Sequence, residues 1–122
     1  YSQYIKSHKQ KVKEQKKEEN ELFKKLNKEA RKAAKKLGRE FDIDKVYLFG
    51  SLTNKEKFYL KSDIDLAIEG LDSGEFLDAW GVLEKFLEYD FDLVQLEKVN
   101  ENLKNIIMKE GVIIYESRRK KG

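Results

Sequence analysis

Apolar positions along this chain change period several times, and each change marks an element. Leu22, Leu26, Ala30, Ala33 and Leu37 recur at spacings of four, four, three and four, the stripe of a helix that buries one face. No proline or glycine interrupts residues 5–37. The spacing therefore predicts one long helix there, with Gly38 as its stop signal. Its first half offers only Ile5 and Val12 among lysines, glutamates and glutamines, so that half is expected to lie in solvent or against a partner. Lys45-Val46-Tyr47-Leu48-Phe49 reads as a buried strand that ends at Gly50. Residues 51–61 read as a turn or short helix. From Asp63 to Glu69 the pattern alternates: Ile64, Leu66 and Ile68 face one way, Asp63, Asp65 and Ala67 the other. That is a strand with one packed face.

The second half repeats the alternation of helix and strand. Asp72 or Ser73 is placed to cap a helix over 74–88, with Phe76, Trp80, Leu83 and Leu87 on one side. Asp90 to Leu96 is a third strand. Asn100 caps a helix through Lys109 with Leu103, Ile106 and Ile107 inward. Gly111 ends that helix, and Val112 to Tyr115 form a fourth strand. The expected fold class is α/β (α+β), a short mixed sheet of four strands packed with helices, with a long N-terminal helix added.

Charge divides the chain unevenly. Residues 1–40 hold 14 basic and 6 acidic side chains, whereas residues 41–117 hold 8 and 17. A body of net −9 argues against nucleic acid as its ligand and suits a site that gathers divalent cations. The basic N-terminal helix is equipped to contact nucleic acid or an acidic partner, although a solvated face is the simpler reading. The absence of cysteine rules out disulfides, thiolate metal sites and a Cys nucleophile. No apolar run approaches the ~18 residues of a membrane span, so no membrane association is expected and a cytoplasmic location is. His8, in a polar helical segment, is read as solvated, and Trp80 as core.

Chemistry concentrates at three places. Phe49-Gly50-Ser51 ends a buried strand, Asp63 and Asp65 share the polar face of the next, and Asp92 lies in Phe91-Asp92-Leu93-Val94. Carboxylates two residues apart on a strand sit roughly 7 Å apart on one face and repel unless a cation lies between them. Mg²⁺ suits such a pair, because it takes one or two carboxylates and completes its octahedron with water and phosphate. Gly50 lets a backbone approach a phosphate closely, and Ser51 adds a hydroxyl donor. Asp92 is placed to complete a second metal site or to accept a proton from an attacking hydroxyl. Asp90 shares its face and is a substitute for it.

Phe49-Gly50-Ser51, an 11-residue spacer, Asp63-Ile64-Asp65-Leu66 and Phe91-Asp92-Leu93-Val94 together resemble the signature of DNA polymerase beta-type nucleotidyltransferases. The chain is most similar to the minimal nucleotidyltransferase (MNT) group, over about residues 20–116. The resemblance implies the polymerase-beta-type fold and transfer of a nucleoside monophosphate, AMP from ATP, with two Mg²⁺ ions (or Mn²⁺) held by Asp63, Asp65 and Asp92. It implies nucleotide binding at Gly50 and Ser51, and a HEPN-domain toxin as partner, a tyrosine of which would be the acceptor. The chain departs from the pattern in two ways. Its spacer is one residue longer than usual, and lysines stand where many relatives carry an Arg. Lys55, Lys57 and Lys61 are therefore the candidate triphosphate contacts. The expected division is a charged helix extension over 1–19, the nucleotidyltransferase domain over 20–117 and a basic tail over 118–122. Two alternatives stay open: a weak or inactive antitoxin that neutralises its partner by contact, and a transferase acting on RNA or a small molecule. A homo-oligomer is compatible with either.

Overall fold

The computed structural model describes residues 2–118, with side chains described from Lys16 onward. The expected solvation of Ile5, His8 and Val12 and the tail residues 119–122 lie outside that description. Helix α1 (Ser2–Glu40) leads into β1 (Lys45–Phe49), two single-turn 3₁₀ segments (Gly50–Thr53 and Lys55–Lys57) and β2 (Ile64–Glu69). A 3₁₀ turn (Ser73–Glu75), α2 (Phe76–Phe86), β3 (Phe91–Gln95), α3 (Glu101–Glu110) and β4 (Val112–Glu116) complete the order. The sheet runs β3-β2-β1-β4. Strand β1 is antiparallel to both of its neighbours, and β3 is parallel to β2.

Each sheet face is covered by different helices. Val46 and Leu48 of β1, Ile64, Leu66 and Ile68 of β2 and Leu93 of β3 form the main core with Leu26, Ala30, Ala33, Ala34 and Leu37 of α1 and Ala79 and Leu83 of α2. The helical stripe read from the sequence is thus the buried face of α1, and its small residues let the helix lie close to the sheet. The opposite face holds a smaller cluster, in which Tyr47, Ala67, Leu96 and Ile107 are buried and Phe49, Val94 and Leu103 pack around them. Ala67 is fully buried, so β2 is packed on both faces at its far end. Its polar face is closed at Ala67 and opens on either side of it, at Glu69 and, more widely, around Asp65 and Asp63.

Asn100 caps α3 as expected, accepting from the Leu103 amide at 2.8 Å, whereas Asp72 accepts from the Gly74 amide at 3.3 Å and so caps the 3₁₀ turn Ser73–Glu75, leaving α2 with no side-chain cap. Three expectations need correction. Helix α1 does not stop at Gly38 but continues to Glu40. The glycine serves close packing instead, since a Cβ there would overlap the Tyr115 ring of β4. The helix expected over 74–88 is shorter, because residues 73–75 form a 3₁₀ turn and Leu87 is already extended. Ile106, expected inward, is 48% exposed; α3 turns Leu103 and Ile107 to the sheet and leaves Ile106 at the rim of a cleft.

Candidate active site

The loop after β1 brings the sequence motifs together. In the antiparallel register Phe49 lies opposite Asp65, and in the parallel register Asp65 lies beside Asp92. Neighbouring strands are about 4.8 Å apart, so Asp65 sits between the Gly50 turn and Asp92. Asp63 precedes β2 by one residue, held at that edge by the hydrogen bond from the Ile64 amide to the Asp90 carbonyl (3.0 Å). All three aspartates lie at the open end of the face that α3 covers only further along.

Gly50 adopts φ +77°, a left-handed conformation that other residues enter at a cost. A second constraint acts at the same atom: a Cβ on Gly50 would collide with the Asp65 carboxylate. The backbone therefore passes directly over that carboxylate. The turn is pinned by Thr53, whose hydroxyl donates to the Gly50 carbonyl at 2.7 Å, and by Asn27 of α1, whose amide donates to the Leu52 carbonyl at 3.3 Å. Leu52 itself is buried in the main core. Asn27 carries no motif in the sequence; only its position between Leu26 and Ala30 places it next to the packed face.

Electrostatics single out Asp65. It is half-buried, while Asp63 and Asp92 are exposed. Burial, and then the negative charges of Asp92 and Asp63, push the Asp65 carboxyl up to about 6. Among the described residues no basic side chain pairs with any of the three. No three carboxylates among them converge closely enough to cage an ion unaided. The donor set nonetheless fits a hard divalent cation: it is all oxygen, and its central carboxylate is desolvated, crowded by like charge and without a counter-ion.

Beside the aspartates lies a cleft of about 570 Å³, whose wall includes Gly50, Ser51, Thr53, Asn54 and Lys57, with Ile106 and Glu110 of α3 opposite. Of the three candidate lysines only Lys57 lines it; Lys55 and Lys61 are exposed elsewhere on the loop. Ser51 is half-buried in the wall. Thr53, Asn54, Ile106 and Glu110 were not among the site residues expected from the sequence. The first two follow from the turn geometry, and the last two from the orientation of α3.

Comparison with known proteins places the fold. No curated protein matches the chain. Among solved structures, a chain of a toxin–antitoxin complex with AMP-PNP is 26% identical, with a TM-score of 0.59, over 72% of this chain and 74% of that one. A chain from the complex of tri-AMPylated Shewanella oneidensis HEPN toxin with MNT antitoxin shares the fold at 24% identity and TM-score 0.57, over 76% and 74%. A nucleotidyltransferase from Sulfolobus solfataricus shares it at 22% and 0.52, over 79% and 85%. The family model described as polymerase beta, nucleotidyltransferase matches residues 31–120, from the buried half of α1 through every strand. On that match, with the Gly-Ser turn seated over the aspartates, the chain belongs to the polymerase beta nucleotidyltransferase family.

Proposed function

We propose that this nucleotidyltransferase moves AMP from ATP to a hydroxyl acceptor, a tyrosine of a partner HEPN-type toxin, and that it acts as the antitoxin of that pair. The observation that carries this reading is the seat of Gly50 over the Asp65 carboxylate, with a nucleotide-sized cleft on one side and Asp63 and Asp92 beside it. The likeness to a chain crystallised with AMP-PNP in a toxin–antitoxin complex supports the choice of donor and of partner.

Gly50, Ser51 and Lys57 line the donor cleft, and their backbone amides, hydroxyl and ammonium suit a triphosphate. Asp63, Asp65 and Asp92 would hold Mg²⁺ (or Mn²⁺), which supplies neutralisation of the triphosphate charge when bound. The acceptor oxygen attacks the α-phosphorus, the bond from that phosphorus to the α,β-bridging oxygen breaks, and pyrophosphate leaves. The acceptor proton passes to the exposed carboxylate of Asp92 and on to solvent. Positioning supplies much of the acceleration, because a bound hydroxyl and a bound phosphate react as one molecule.

One observation favours a second reading. The loop after Ser51 carries lysines where many relatives carry an Arg, which fits an antitoxin acting by contact alone. Incubating the purified chain with labelled ATP, Mg²⁺ and a cognate HEPN toxin separates the two. Label should reach the toxin, and Asp65→Asn should abolish it; inhibition of the toxin with no label would establish the contact mechanism.

A further inference from the structure

We propose that the groove on the far side of Asp63 receives the acceptor, and that it selects a polypeptide segment carrying basic side chains next to its hydroxyl. This inference rests on the transferase reading above. The carboxylates stand between two cavities. One is the donor cleft over Gly50 and Ser51. The other, of about 640 Å³, has Asp63 in its wall and runs along α2 and the segment that enters β3. In-line displacement requires the attacking oxygen to arrive opposite the leaving pyrophosphate, so the acceptor must enter from a side the donor does not fill.

The chemistry of that second cavity defines what enters. Glu84, Glu88 and Asp90 join Asp63 in its lining, all four exposed, and no basic residue is among the lining side chains. Its apolar wall is aromatic. Trp80 packs on Phe91 with centroids 4.9 Å apart and donates its indole N–H to Glu84 at 3.4 Å. The chain itself shows what this wall attracts: the Lys25 ammonium of α1 sits 5.7 Å from the centroid of the Tyr89 ring, another lining residue. A guanidinium matches both features at once, forking onto carboxylates and stacking on aromatic faces. An RNA end meets the reverse, because polyanion binding needs basic contacts and here phosphates would face four carboxylates.

Trp80 is the single tryptophan of the chain, so its emission reports occupancy of the groove directly. The full chain is titrated at low salt with three probes: a synthetic peptide with one tyrosine flanked by arginines, the same peptide with glutamates in place of the arginines, and a single-stranded RNA oligonucleotide with a free 3′-hydroxyl. The arginine peptide should change Trp80 emission and bind at least tenfold more tightly than the glutamate peptide, and RNA should not compete with it. Glu84→Gln/Glu88→Gln should lose that preference while keeping the parent's melting temperature and ATP affinity. Glu88→Gln alone leaves the Trp80–Glu84 bond intact and should lose part of it. Equal binding of the two peptides, displacement by RNA, or undiminished preference in the folded variants would overturn the assignment. Its failure is distinct from that of the transferase reading. Arginine-peptide binding to a chain that never transfers AMP sinks only the transferase. AMP transfer to a toxin at the parent's rate in the double variant sinks only the groove.

Discussion

Asp65 is where the fold and the chemistry pull in opposite directions. Its carboxyl is half-buried between Asp63 and Asp92 and is raised from 3.8 to about 6. Between those values the folded state keeps a proton that the unfolded chain releases, so stability falls as pH rises through that window. The sign is the reverse of a salt-bridged aspartate. In EDTA, Asp65→Asn should therefore melt above the parent at pH 7 and at nearly the same temperature at pH 4. A variant that melts lower at pH 7 would make Asp65 a structural residue. Gly50 belongs to the same argument: Gly50→Ala combines a strained φ with a Cβ against the carboxylate and should destabilise by about 1–3 kcal/mol, read as a lower melting temperature. At this scale the sequence was legible where residue type and strand period coincide, as for Asp63, Asp65 and Asp92. It was not legible for Asn27, Ile106 and Glu110. Their involvement depends on which way α1 and α3 are turned, and a periodic stripe leaves the rim positions of a helix undetermined.

At the scale of elements, the same limit explains Gly38. Glycine costs a helix roughly 1 kcal/mol relative to alanine and commonly ends one, so the stop signal was a fair inference. It failed because the residue that uses the missing side chain, Tyr115, is remote in sequence and reaches α1 only once β4 has paired with β1. This pairing predicts a sign reversal. Gly38→Ala should destabilise the parent by displacing the Tyr115 ring, yet stabilise a Tyr115→Ala background by about 1 kcal/mol, the ordinary helix propensity. Denaturant melts of the four proteins form the cycle; a gain of similar size in both backgrounds would mean that the ring does not hold the helix. Caps and strands were read more securely because their signals are local: Asn100 bonds the Leu103 amide three residues on.

For the whole molecule, the contrast between a basic first third and an acidic remainder maps onto the structure. Among the residues whose side chains are described, helix α1 contributes to the main core from Leu22 onward. A chain lacking residues 1–18 should therefore fold with the parent's melting temperature, whereas Leu26→Ala, at a site 2% exposed, should cost about 2–5 kcal/mol. Unfolding of the truncated chain would place part of the core in the first half of α1. The acidic remainder sets a stronger test, because donor and cation must meet at one point. Three carboxylates without a basic partner repel a triphosphate as well as one another. Neither ATP nor Mg²⁺ alone removes the conflict: the cation lacks enough protein ligands, and the nucleotide brings further negative charge. Together they cancel it, since phosphate oxygens complete the cation's shell. Linkage then requires each to tighten the other by the same factor. Calorimetric titration of ATP should show at least tenfold higher affinity in Mg²⁺ than in EDTA. Mg²⁺ without nucleotide should bind weakly and raise the melting temperature little. Asp65→Asn should narrow the gap from both sides, weakening ATP binding in Mg²⁺ and, by removing repulsion, improving it in EDTA. Equal ATP affinity with and without the metal would leave the aspartates no part in nucleotide binding.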